Sequence, residues 1–256
     1  MNNNTEPERD PLEPAPEPQQ EQPTISMRLI QGKSIVTWVL LAVTVVVYLL
    51  QVFSKYRYGV DWPLMYGAKY TPYIKMGEYW RLVTPIFLHS NVMHILCNMY
   101  ALFTLGPSLE KYYGKLSFLR LYVLTGIGGN VLSYILSPYS VSVGASSALF
   151  GLIGAQAMFL YKNRRVIRNY RSLMQNIVFV VVINIFFGLQ GGIDNWAHLG
   201  GFVTGLLIGW LSGPQIGFAQ EAQTGRVRVI DIVPVKQREI GYLLVFLLLC
   251  AAVFAF

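Results

Sequence analysis

Residues 195–212 read Asn-Trp-Ala-His-Leu-Gly-Gly-Phe-Val-Thr-Gly-Leu-Leu-Ile-Gly-Trp-Leu-Ser. The run holds no Asp, Glu, Lys or Arg, and it is about as long as a helix must be to cross the hydrocarbon core of a bilayer. Gly201 and Gly205 stand at the small-xxx-small spacing that lets membrane helices touch closely, on the same helical face as His198 near one end of the run. Working outward, six more apolar runs lie at 35–53, 92–109, 116–136, 143–161, 174–190 and 240–256. The whole chain is 54% apolar and only 13% charged, where an ordinary soluble domain is about 25% charged. An all-α polytopic membrane protein is therefore expected, six helices plus one, with the lipid bilayer as its solvent.

The net charge of +7 does not point to nucleic acid, because the basic residues cluster between the apolar runs as the positive-inside rule places them. Residues 1–33 contribute three, the loop after span two Lys111, Lys115 and Arg120, the loop after span four Lys162, Arg164, Arg165, Arg168 and Arg171, and the stretch after span six Arg226, Arg228, Lys236 and Arg238. All fall on one side if the N-terminus is cytoplasmic, while the opposite loops 137–142 and 191–194 hold no Lys or Arg. The first loop, 54–91, is basic as well, but it is long and aromatic enough for a folded element lying at the membrane interface.

Four segments are expected. Residues 1–33, with six acidic residues, six prolines and no aromatic, read as a disordered cytoplasmic tail. The tail lacks the features of a cleaved signal peptide, so the first span anchors the chain. Residues 34–212 form the membrane domain, 213–239 a polar, basic linker, and 240–256 a C-terminal transmembrane helix. Cys97 and Cys250 both sit inside apolar runs and offer neither a disulfide framework nor a metal-ligand spacing.

In this topology spans two, four and six all start at the outer face. His94 lies near the start of span two, with Asn98 one turn below it; Ser146 and Ser147 open span four; His198 opens span six. Polar groups in a bilayer are costly unless they share a partner, face the bundle interior or meet water. Packing glue between helices is the ordinary role for Ser146, Ser147 and Asn98. A histidine level with a serine, however, can serve as general base to a nucleophile, and either Ser146 or Ser147 satisfies that spacing. Ser147, Gly151 and Gly154 give span four a small-residue face toward span six. A serine a few residues below the outer loop lies roughly 5–10 Å deep, within reach of water. Asp194, four residues before His198, suits an N-cap.

These residues resemble the rhomboid intramembrane serine proteases over about residues 75–210, through Trp80-Arg81, His89, His94-Ile-Leu-Cys-Asn98, Gly144-Ala-Ser146-Ser, and His198-Leu-Gly-Gly201-Phe-Val-Thr-Gly205. The layout is similar to the subset with an extra C-terminal helix. The resemblance implies a six-helix bundle plus a seventh helix, with Ser146 as nucleophile and His198 as general base. His94, Asn98 and the Ser146 backbone N–H would form the oxyanion hole, and Phe150 would lie against the catalytic imidazole. Gly144, Gly201 and Gly205 are support positions; Trp80, Arg81 and His89 would support the first loop. The family usually has glycine after the nucleophile, where this chain has Ser147. The resemblance further implies no metal and no cofactor, transmembrane protein substrates, a moving cap at Gly191-Gly192, and a bacterial cell membrane with the site facing outward. A catalytically inactive rhomboid-like module that binds client helices is the alternative within the fold. A small transporter fits less well, since no internal repeat is visible.

Overall fold

The computed structural model describes residues 33–188, 192–220 and 227–256. The tail at 1–32 and Gly191 of the expected cap lie outside them. Seven long helices occupy the seven apolar runs: α1 (Ile35–Tyr58), α4 (Val92–Tyr113), α5 (Lys115–Leu136), α6 (Ser146–Lys162), α7 (Tyr170–Gly188), α8 (Asn195–Ser212) and α9 (Val235–Ala255). Two short helices, α2 (Trp62–Gly67) and α3 (Thr71–Lys75), fold the first loop together with 3-10 turns at Tyr79–Leu82 and Thr84–Phe87. The chain is thus an all-α polytopic membrane protein, with one exception to the helical rule. The stretch 213–239, read as a polar, basic linker, contains an antiparallel pair of strands, β1 (Ile216–Gln220) against β2 (Val227–Asp231), with Phe218 opposite Val229. Its basic charge masked a β-branched pattern in β2, and Pro234 then starts α9 earlier than hydropathy alone places it.

α1, α4, α5 and α9 are each long and apolar enough to cross a membrane. α6 and α8 hold more small residues and pack against each other; α6 is buried along most of its length, while α8 keeps Leu199, Val203, Leu207 and Trp210 exposed on its outward face. Side chains such as Ala148, Leu152 and Ala155 of α6 and Ile208 of α8 are fully buried. Outward-facing apolar side chains, among them Trp38, Leu49, Phe179, Val182, Leu244 and Leu248, form the surface that lipid covers.

Glycine sets how close the central helices come. A Cβ on Gly201 would lie 2.0 Å from the Ser147 carbonyl oxygen, one on Gly205 1.9 Å from that of Gly151, and one on Gly154 2.3 Å from that of Phe202. α6 and α8 therefore pack backbone on backbone in both directions. Gly129 of α5 similarly admits the Ala197 carbonyl, which a Cβ there would meet at 2.4 Å.

Elsewhere polar anchors hold the frame. The N-terminus of α1 has no cap from Ser34. Instead the buried Glu110 of α4 accepts from the N–H groups of Val36 and Thr37 and from the Thr37 hydroxyl, at 2.8–2.9 Å, which suits a carboxylate at a helix N-terminus. In the first loop the buried Arg81 pairs with Glu78 at 2.6 Å and donates to the carbonyls of Met65 and Ala68, while the Trp80 indole donates to Tyr66. The loop is a folded platform fixed by these bonds.

Candidate active site

α6 starts at Ser146, and the chain reaches it through a backbone turn at Gly144, whose N–H donates to the Pro85 carbonyl at 2.9 Å. Gly144 adopts φ +128°, a region closed to most side chains, and a Cβ at that position would strike the His94 ring at 2.7 Å. The preceding residue of the helix, Ala145, supplies no side-chain cap, so the first N–H groups of α6, that of Ser146 included, are not consumed by capping. α8 starts three residues before His198, with Asp194 accepting from the Ala197 N–H at 3.0 Å as its cap.

The two helix mouths meet. Ser146 Oγ lies 2.9 Å from His198 Nε2, and the Phe150 ring stacks on the imidazole at 4.3 Å between centroids and 15° between planes. The neighbouring hydroxyl is elsewhere: Ser147 is buried, its Cβ faces Gly129 and its carbonyl faces Gly201, and its Oγ has no partner. Helical geometry lets one of two adjacent serines face the imidazole, and the one that does so is Ser146.

On the other side of the serine stand His94 and Asn98 from α4. His94 Nδ1 is 3.1 Å from the Ser90 hydroxyl; when that hydroxyl donates, the Nε2 nitrogen carries the proton and is directed toward Gly144 and the cavity. The Asn98 amide nitrogen is buried without a partner and lies beside Gly144, 3.5 Å from where a Cβ would be. An unpaired buried donor costs free energy, and here it borders a cavity of about 560 Å³ that Ser146 and His198 also line. The cavity continues to Met93 and Cys97 of α4 and Asn184 of α7 on one side and to Gly192 on the other. Asn184 was not singled out in the sequence, where one amide in an apolar helix is an ordinary sight. Among the described residues no three His, Cys, Asp or Glu side chains converge as metal ligands.

His89 supports this arrangement from behind. Its ring packs edge-on against His94 at 5.0 Å, its Nε2 accepts a long 3.5 Å contact from the Ala145 N–H, and its backbone exchanges two hydrogen bonds with Gln51 of α1. Burial, reinforced by the adjacent His94, pushes the His89 imidazole down to about 4, so it is neutral at physiological pH.

A helical bundle that crosses the membrane repeatedly and joins a serine to a histidine at the mouths of two glycine-packed helices defines a class: polytopic membrane proteins with a hydrolase-like site. Comparison with known proteins narrows it. The Rhomboid domain family matches residues 76–215. Rhomboid protease GluP of Bacillus subtilis (strain 168) is 32% identical over 213 residues, 83% of this chain and 40% of its own length. RHOMBOID-like protein 1 of Arabidopsis thaliana is 37% identical over 169 residues, covering 65% of this chain and 43% of the relative. Rhomboid-like protease 1 of Toxoplasma gondii is 39% identical over 155 residues, 59% and 53% respectively. The chain belongs to the rhomboid family, and it spans about half or less of the length of these relatives.

Proposed function

We propose that this chain is an intramembrane serine endopeptidase that cleaves transmembrane segments of other membrane proteins with a Ser146–His198 dyad. The observation that carries the reading is the 2.9 Å contact between these two side chains across two separate helices. A client-binding module needs the fold but not that contact. GluP and the Toxoplasma relative, both named as proteases, support the same class of reaction.

Ser146 Oγ attacks the scissile carbonyl carbon while His198 Nε2 accepts its proton. The negative charge that develops on the carbonyl oxygen is met by the Asn98 amide, His94 and the Ser146 N–H. The imidazolium then protonates the leaving amine, the C–N bond breaks, and an ester remains on Ser146. Water, deprotonated by the same imidazole, attacks that ester and releases the acid. Phe150 keeps the imidazole plane fixed during both transfers. The distribution of Lys and Arg supports an N-terminus on the cytoplasmic side and a site opening toward the outer face. A hydrogen-bonded substrate helix hides its carbonyls, so segments with helix-weakening residues are the favoured substrates.

The test is cleavage of a fluorogenic transmembrane substrate by the purified protein in liposomes, beside Ser146→Ala, Ser147→Ala and His198→Ala. Ser146→Ala and His198→Ala abolish cleavage and Ser147→Ala retains it. A serine-directed phosphonate labels the wild type and Ser147→Ala but not Ser146→Ala. Cleavage by Ser146→Ala at the wild-type rate would reject the dyad.

A further inference from the structure

Asp194 does more than an N-cap requires. One carboxylate oxygen accepts from the Ala197 N–H, and its backbone carbonyl accepts from His198 N–H at 3.2 Å, which places it in direct control of the first turn of α8. The second carboxylate oxygen accepts from two hydroxyls on different segments, Ser133 in the last turn of α5 and Ser142 in the stretch leading to Ser146. Capping uses a single acceptor, so this second oxygen serves another purpose. Ser142 stands four residues before Ser146, and Asp194 four before His198. One carboxylate thus joins the approaches to both members of the dyad.

A cation completes the arrangement. Lys69, from the first loop, is fully buried; its ammonium donates to the Ser137 carbonyl at 2.7 Å and to the carbonyl and hydroxyl of Ser140 at 3.2 Å. Its backbone pairs both ways with Ser142, at 3.0 and 3.1 Å. Lys69 and Asp194 therefore hold the segment 137–142 from two sides. Burial draws the lysine down to about 8 and the Asp194 charge opposes that shift, so at neutral pH the cation persists inside the protein and requires its counter-charge.

We propose that Asp194 is a positioning residue which, balanced by Lys69, ties the first loop and the 137–142 segment to the mouth of α8 and thereby keeps Ser146 and His198 within bonding distance. The inference rests on the proteolytic reading of the dyad. Both residues act through the segments they fix. Sequence alone hides this cluster, since its members come from four separate stretches and each serine reads as helix-end packing.

The experiment measures kcat and KM in liposomes, and the phosphonate labelling rate, for Asp194→Asn, Asp194→Ala, Ser142→Ala, Lys69→Met and Lys69→Met/Asp194→Asn. Asparagine caps a helix as well as aspartate but replaces the second oxygen with a donor, so it separates the cap from the junction. The expected result for Asp194→Asn is a roughly tenfold fall in kcat and in labelling, and for Asp194→Ala a fall approaching ~10²-fold, the scale of a 1 Å misplacement, with KM within about twofold for both. Ser142→Ala, which leaves the charges intact and so guards against a folding failure, loses about threefold in kcat. The double variant is no slower than the slower single one, as coupled residues require. Wild-type kcat in both Asp194→Asn and Ser142→Ala, or losses that multiply in the double variant, would overturn the proposal. Absence of Ser146-dependent cleavage in the wild type would instead overturn the proteolytic reading itself.

Discussion

Gly201→Ala tests whether backbone contact between α6 and α8 sets the dyad. The added methyl would stand 2.0 Å from the Ser147 carbonyl oxygen and 2.8 Å from its carbon. Both are backbone atoms within the first turn of α6, so no side chain can swing away to make room. Ordinary contact begins at 3.4 Å, and reaching it requires α8 to retreat by about 1.4 Å, the difference between those two distances. His198 lies one turn from Gly201 on the same helix and retreats with it. A 2.9 Å hydrogen bond to Ser146 lengthened by even half that amount passes the limit of a useful proton transfer. Misplacement on the order of 1 Å lowers rates by ~10²-fold, and overpacking costs about 1–3 kcal/mol of stability. The assay is kcat with the transmembrane substrate, beside thermal unfolding and phosphonate labelling of the same preparation. Leu207→Ala, on the outward face of α8, serves as the control and keeps kcat within about twofold. A folded Gly201→Ala protein with wild-type kcat would refute the claim that close helix approach sets the geometry of the site.

Three further outcomes follow from the structure. Asn98→Ala removes a buried donor beside the cavity, so turnover falls by ~10²–10³-fold with KM nearly constant; an unchanged turnover number removes Asn98 from the oxyanion site. Glu110→Ala strands the N–H groups of Val36 and Thr37 and the Thr37 hydroxyl, so thermal unfolding in detergent shows a loss of at least about 2 kcal/mol; a smaller loss means that water replaces the carboxylate. For His89 the sign follows from its lowered value: between pH 6.5 and about 4 the unfolded chain holds a proton that the folded chain has released, so stability falls as pH falls through that window. The total is up to about 3 kcal/mol, and His89→Leu flattens this dependence; a variant as acid-sensitive as the wild type would place the effect elsewhere.

The extent to which the sequence exposes this fold and site follows from how local each signal is. Hydropathy located seven spans because apolar side chains dominate each run, whether they face lipid or, as in α6, the bundle interior. It misjudged the start of α6, expected at 143 and found at Ser146, because apolarity continues through Val143 and Ala145 while Gly144 turns the backbone. The Ser146–His198 pair was legible because each residue sits near a helix start and glycines mark the close approach. Whether Ser146 or Ser147 faces the histidine was open to spacing alone, and depends on the rotation of α6 against Gly129 and Gly201. The pairing of β1 with β2 was hidden by composition, since the basic, polar stretch 213–239 reads as a linker. Least legible of all was the union of Lys69, Ser133, Ser142 and Asp194. A buried lysine inside a loop whose other basic residues include exposed ones gives no sign of itself, because what buries it is the return of chain segments some 70 to 125 residues later. Such a cluster has no local period; it is written only in the crossing of helices that the glycines permit, and a charge there can be carried only because its counter-charge arrives by the same crossing.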